Sequence, residues 1–154
     1  MLELPHVLVG AAIATSVSNP VLAFPLALAS HFITDYIPHW NPHINTEIKK
    51  YGSITQKSLL ILAADSGGAL VLGASIAYLK SQSLSQFLFI LACCLMSVLP
   101  DVLEIPYYFF KQKIKWMEDL ITFQRSHQWN VPVLWGMLAQ IAVSLASLYL
   151  IFNF

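Results

Sequence analysis

The sequence predicts an all-α, polytopic membrane protein of about five transmembrane or re-entrant helices, with an added interfacial amphipathic helix, in one domain over residues 1–154. Three observations predict it. The chain is 57% hydrophobic and only 10% charged, whereas soluble domains carry about a quarter charged residues. Residues 58–79, 84–105 and 131–154 each supply the roughly 20 apolar positions that a helix needs to cross a hydrocarbon core with its backbone bonded internally. The length of 154 residues matches one domain.

Taken in order, residues 4–18 and 21–37 are shorter apolar stretches separated by Asn19-Pro20, a turn signal, and so form a helical hairpin of thin spans or a re-entrant pair. No Lys or Arg precedes the first stretch, and Glu3 and His6 stand where a signal peptide has its basic region. The N-terminus is therefore expected to belong to the mature protein. Two polar segments follow, 38–57 and 107–130. In the second, Ile114, Met117, Leu120 and Ile121 recur at helical spacing opposite Lys111, Lys113, Lys115, Glu118 and Asp119, as in a helix lying on the bilayer surface. The aromatic run Tyr107, Tyr108, Phe109 and Phe110 ahead of it suits the interface.

Charge sets the expected orientation. If every segment crosses, Lys49, Lys50, Lys57, Lys111, Lys113, Lys115 and Arg125 share one side and Lys80 alone takes the other. The positive-inside rule makes the crowded side cytoplasmic. A net charge of zero offers no footprint for nucleic acid. Cys93 and Cys94 are adjacent in an apolar run and provide no disulfide framework.

The residues that a membrane-embedded chain should avoid are His6, His31, Asp35, His39, Asp65, Asp101, Glu104 and His127. The topology gathers them on the cytoplasmic side. His31, Asp35 and His39 are spaced by four and share a helical face. Asp65 lies about 12 Å into its span, and His31 is at a similar depth. Each ionisable group costs about 2.5–3.5 kcal/mol at the membrane centre, and a divalent metal can offset that cost. The expected ligands are His6, His31, Asp35, His39, Asp101 and His127. Mixed imidazole and carboxylate donors favour zinc, with manganese or iron as rivals, and the want of a thiolate argues against a structural zinc. A catalytic zinc lowers the pKa of its water to about 7.

Several short motifs carry a resemblance. They are His6-Val-Leu-Val-Gly10, His31-Phe-Ile-Thr-Asp35 running into Pro38-His39-Trp40, Leu99-Pro100-Asp101, and the late His127. Together they resemble the small bacterial inner-membrane metal-dependent hydrolases, and the His-x-x-x-Asp pattern is distantly similar to zinc-dependent phospholipase C. The resemblance implies a helical membrane protein with a metal site and hydrolase activity. Two departures stand out. The family's Leu-Pro-Asp-x-Asp-His is Leu99-Pro100-Asp101-Val102-Leu103-Glu104 here, and its His-Arg-Gly-x-Thr-His-Ser is reduced to Gln124-Arg125-Ser126-His127.

The expected function is hydrolysis of a lipid or lipid-linked ester or phosphoester by a metal-activated water, with membrane lipid as the partner. Glu104 is the candidate base, against its reading as a snorkelling acid. Asp65 is a ligand or an acceptor that orients a ligating imidazole. Arg125 would clamp a substrate phosphate or merely set orientation. His31 and Asp35 could instead be an ion pair fixing helix packing, and Gly67, Gly68 and Gly73 with Ala63 and Ala69 permit close helix approach. The rival functions are a metal-ion or proton-coupled transporter and a structural membrane protein. A transport path needs polar groups across the whole thickness, and the far halves of the helices offer only Ser, Thr, Gln or Asn.

Overall fold

A computed structural model describes the whole chain, residues 1–154, as seven helices with no strand. Helices α1 (Glu3–Ser16) and α2 (Pro20–Asp35) form the expected hairpin. Asn19 caps α2 by accepting from the Val21 N–H at 3.0 Å, and Pro20, which has no N–H to satisfy, opens the helix. Their 14 and 16 residues reach about 21 and 24 Å, short of a hydrocarbon core of about 30 Å.

Helices α4 (Gln56–Lys80), α5 (Leu84–Phe110) and α7 (Val133–Asn153) are each long and apolar enough to cross a membrane. Thr55 and Ser83 cap α4 and α5 through the Ser58 and Gln86 N–H groups. Helix α5 runs past residue 105, through Pro100 and Pro106, and takes in the aromatic run. It stops at Lys111, the one non-glycine residue with positive φ.

Two short helices complete the chain. Helix α3 (Ile44–Tyr51), inside the polar segment 38–57, ends on Gly52 at φ 75°. Helix α6 (Lys115–His127) occupies the amphipathic segment. It buries Met117 and Ile121 against the bundle, so this part of its apolar face is covered by protein rather than by lipid.

Helix α1 is the centre of the molecule, in contact with α2, α4, α5 and α7. Its small residues make that crowding feasible. Ala11, Ala12 and Ala14 are buried, and a Cβ added to Gly10 would fall 2.6 Å from Ser97 Oγ and 2.7 Å from the Cys93 carbonyl oxygen. Glycine is what lets α1 and α5 close to this distance. Outside this core the surface is apolar: Leu60, Leu70, Val71, Leu88, Leu134 and Leu145 are all exposed, as expected where lipid is the solvent. The start of α1, the end of α2, the early part of α4, the late part of α5 and all of α6 thus meet at one end of the bundle.

Candidate metal centre

That end gathers the imidazoles. His6, His31 and His39 are all fully buried at 0% exposure. In each, Nδ1 faces an oxygen that fixes the ring. His31 Nδ1–H donates to the Ser97 carbonyl at 2.9 Å, and His39 Nδ1–H donates to the Ile37 carbonyl at 2.8 Å. The Thr34 hydroxyl is itself directed to the Ser30 and His31 carbonyls, so its oxygen accepts from His6 Nδ1–H at 3.0 Å.

With the Nδ1 atoms engaged, the three Nε2 atoms turn on two carboxylates. Asp35 Oδ1 lies 3.4 Å from His6 Nε2 and 3.8 Å from His39 Nε2. Asp35 Oδ2 lies 3.9 Å from His31 Nε2, which is also 3.5 Å from Asp101 Oδ1. His6 and His31 stack with centroids 4.2 Å apart, and one donor atom from each of His6, His31 and Asp101 falls within 4.8 Å of the others. The Met1 ammonium is against Asp35 Oδ1 and 3.3 Å from His6 Nε2.

The donor set suits a metal. His39 Nε2 is buried with no hydrogen-bond partner, and burial first, then the Met1 ammonium, holds that imidazole below its ordinary pKa. A neutral ring with a free Nε2 lone pair is the ligating form. His31 Nε2 has another option: it lies 2.9 Å from Gln124 Oε1, so the ring can serve as an imidazolium donating from both nitrogens. A metal on Nε2 would take the place of that proton.

Three glutamines hold the frame. Gln124 Nε2 donates to Glu104 Oε1, and Gln128 Nε2 donates to Asp35 Oδ2 at 3.1 Å. Gln140, inside α7, accepts from the Leu2 N–H at 2.7 Å and donates to the Trp40 carbonyl at 3.1 Å. His39 is fixed further by a bridge to the segment after α6, with its N–H on the Trp129 carbonyl and its carbonyl accepting from Val131. Close packing seals this contact, because a Cβ on Gly136 would fall 2.4 Å from the Trp40 nitrogen.

Five of the expected ligands, His6, His31, Asp35, His39 and Asp101, therefore come together. His127 does not. Its Nδ1–H donates to the Phe123 carbonyl at 2.8 Å, one turn back on α6, and its ring packs on Phe123 and Tyr36. Gln124, one turn earlier, reaches His31 instead. Asp65 neither joins the cluster nor orients an imidazole, since its oxygens accept from the Glu3 and Leu4 N–H groups at 2.6 and 3.2 Å. It satisfies the exposed donors at the start of α1 and complements the helix dipole there. Arg125 is exposed and lines the mouth of a cavity of about 1350 Å³, which Asp101 and Glu104 also line.

The sequence reading missed Thr34, Ser97, Gln124, Gln128 and Gln140 as supports. For Ser97 and Gln140 a signal existed, namely a polar side chain inside an apolar span. Comparison of the chain with models of protein families, with curated proteins and with solved structures finds no match.

Proposed function

We propose that the chain is a membrane-embedded metal-dependent hydrolase acting on a lipid or lipid-linked ester or phosphoester, with His6, His31, Asp35, His39 and Asp101 as the ligand set for zinc, or for manganese or iron. One observation carries the reading: all three buried imidazoles have Nδ1 tied to a protein oxygen and Nε2 facing the Asp35 and Asp101 carboxylates. This is how ligating histidines are oriented in metalloenzymes. A divalent ion held there would polarise the substrate oxygen and acidify a water.

The chain's own groups account for the rest. Glu104, steadied by Gln124 on the cavity wall, accepts the proton released by the attacking water. Arg125 at the cavity mouth presents a fork of donors suited to phosphate oxygens. Asp65 acts as a positioning residue that holds the start of α1 through the Glu3 and Leu4 N–H groups. The basic residues of α3 and α6 favour a site facing the cytoplasmic leaflet of a bacterial-type inner membrane. The same motifs support kinship with the small inner-membrane metal-dependent hydrolases.

The test is elemental analysis of the purified protein together with turnover of phospholipid vesicles. His31→Ala and Asp35→Ala are expected to lose both metal and turnover while staying folded. Turnover retained in either variant removes that residue from the mechanism. A wild-type protein without metal favours the structural reading instead, to which the His31 Nε2 contact with Gln124 Oε1 lends support.

A further inference from the structure

The α4 and α5 helices meet near Gly73 and Cys94 but leave a cavity between them on the side that carries Asp65 and Asp101. On α4, Leu62, Ser66 and Leu70 follow one another at intervals of four, and on α5, Leu95, Val98 and Val102 do so at three and four. Residues at this spacing form one stripe on a helix. Both stripes line the same cavity of about 1350 Å³, larger than the usual range of about 300–1,000 Å³ for small-molecule pockets. Leu70 remains 74% exposed and Leu95 53% exposed, so protein does not fill the space between them.

The cavity has a polarity gradient. Asp65, Asp101, Glu104 and Arg125 line one end of it, and from Ala69 to Ala74 on α4 and from Leu91 to Val98 on α5 its lining carries no charge. The apolar end narrows where α1, α4 and α5 converge. There a Cβ on Gly73 would stand 2.9 Å from Val7 Cγ1 and 3.7 Å from Cys94 Sγ. From Asp65 to Gly73 is about 12 Å along the helix.

We propose that this cleft takes one hydrocarbon chain of a membrane lipid, admitted sideways from the bilayer between α4 and α5, with the ester-bearing head at Asp101 and Glu104. The inference rests on the hydrolase reading and specifies its substrate as a lipid held by its tail. The chemistry of the walls selects this occupant. Both helices are long enough to span, so the opening between them faces lipid, and the charged end meets the candidate metal centre at Asp101, which lines the cavity and lies 3.5 Å from His31 Nε2. Bilayer hydrocarbon is already as apolar as leucine, so the tail gains nothing by leaving water. What it gains is van der Waals contact with walls that otherwise face a void. Selectivity for the lipid class then belongs to the head, and selectivity for chain length belongs to the depth of the cleft.

The experiment counts lipid retained by the detergent-purified chain, by native mass spectrometry, after reconstitution in vesicles of phosphatidylethanolamine and phosphatidylglycerol. Ser66→Phe plugs the cleft near the charged end, and Ala74→Phe shortens it from the far end. Val71→Phe, an exposed position outside the lining, is the control. Retained dipalmitoyl lipid is expected to fall about tenfold in S66F, a change of about 1.4 kcal/mol. A74F is expected to lose dipalmitoyl lipid but keep the dioctanoyl form, and V71F to resemble wild type. Metal content stays unchanged in all three.

Equal retention in S66F, A74F and V71F overturns the proposal, as does a wild-type protein that retains no lipid. A dimer replacing the lipid adduct, and lost in S66F, assigns the cleft to a second copy and overturns it too. If S66F does not fold, the chain-length discrimination of A74F decides alone. Lipid retention without bound metal would remove the hydrolase reading and leave the cleft standing, whereas metal without cleft-dependent retention does the reverse.

Discussion

The two apolar hairpins of this molecule reach opposite results. In the short α1–α2 hairpin, α1 is enclosed by α2, α4, α5 and α7, and α2 turns one face to it while Val21, Leu22 and Ile33 stay exposed, so His6 and His31 are fully buried with each Nδ1 bonded. The α4–α5 hairpin is long, and its helices meet near Gly73 and Cys94 but leave an open cleft toward Asp65 and Asp101. The difference lies in what stands against each hairpin: α1 is enclosed by α2, α4, α5 and α7, whereas the space between α4 and α5 stays unfilled even though α4 carries Ala63, Ser66, Ala69, Gly73 and Ala74 along it. Small residues let backbones approach where another helix is present to pack on them, as at Gly10, and leave room where none is. One hairpin is built to fix donor atoms and the other to leave space.

The sharpest way to break this comparison is to enlarge one side chain in each hairpin. Gly10→Leu places bulk where even a Cβ would meet Ser97 Oγ at 2.6 Å and backbone of α5 at 2.7 Å. It is expected to cost about 3 kcal/mol, read as loss of unfolding resistance in detergent, and to abolish metal retention because His6 sits one turn away. Ala74→Phe in the open hairpin enlarges an exposed residue and is expected to change stability by no more than about 0.5 kcal/mol. Equal effects would mean that the α4–α5 gap closes in the membrane.

A finer test concerns donor fixing. Thr34→Val preserves shape but leaves the His6 Nδ1–H without its acceptor. Metal affinity is expected to fall about tenfold, within the range for partners of ligating histidines, as measured by metal titration. Ser66→Ala, on the cleft wall, is expected to leave the affinity unchanged. An unchanged affinity in T34V would show that the imidazoles are held by helix packing alone.

How far the sequence announced these features depends on the signal each one leaves. The long spans α4, α5 and α7 were legible because roughly 20 apolar residues have few other uses, and their ends agree within a few residues except at α5. There the apolar stretch stops at residue 105 and the aromatic run suits the interface, yet the helix continues through Pro106 to Phe110, since a proline inside a membrane helix is tolerated where neighbouring groups satisfy the backbone it frees. The convergence of His6, His31, Asp35, His39 and Asp101 followed from topology and helical spacing. His127 misled because it stands late in the chain beside Arg125, as a ligand of the resembled family would. Which of Gln124 and His127 reaches His31 depends on the rotation of α6, and that is set by burial of Met117 and Ile121. Asp65 stands out in the sequence by its depth in the span, but depth alone does not separate a ligand from a carboxylate that caps a neighbouring helix.

The smallest expected effect lies at the rim shared by the two regions, where α3 lies over the cavity beside the start of α4. Glu47 on α3 accepts from the Ser58 hydroxyl at 2.7 Å and from the Thr55 N–H and hydroxyl at 2.8 and 3.1 Å. These bonds, that from Ser58 first and those from Thr55 after it, hold its carboxyl below the ordinary value, which is about 4.3 for a free glutamate. A group depressed in the folded state stabilises fully above its unfolded value, and that contribution disappears as pH falls through the folded value. The tie between α3 and α4 should therefore be intact at neutral pH and loosen only below about 4.3. Acid-stable protease nicking within residues 51–55 is expected to rise over that acidic window in the wild type. In Glu47→Gln it should be raised already at neutral pH and nearly flat with acidification, while metal content at neutral pH is unchanged. Nicking that stays pH-dependent in the variant would transfer the effect to another acid. Nicking accompanied by metal loss would show that α3 supports the tightly packed hairpin as well as covering the open one.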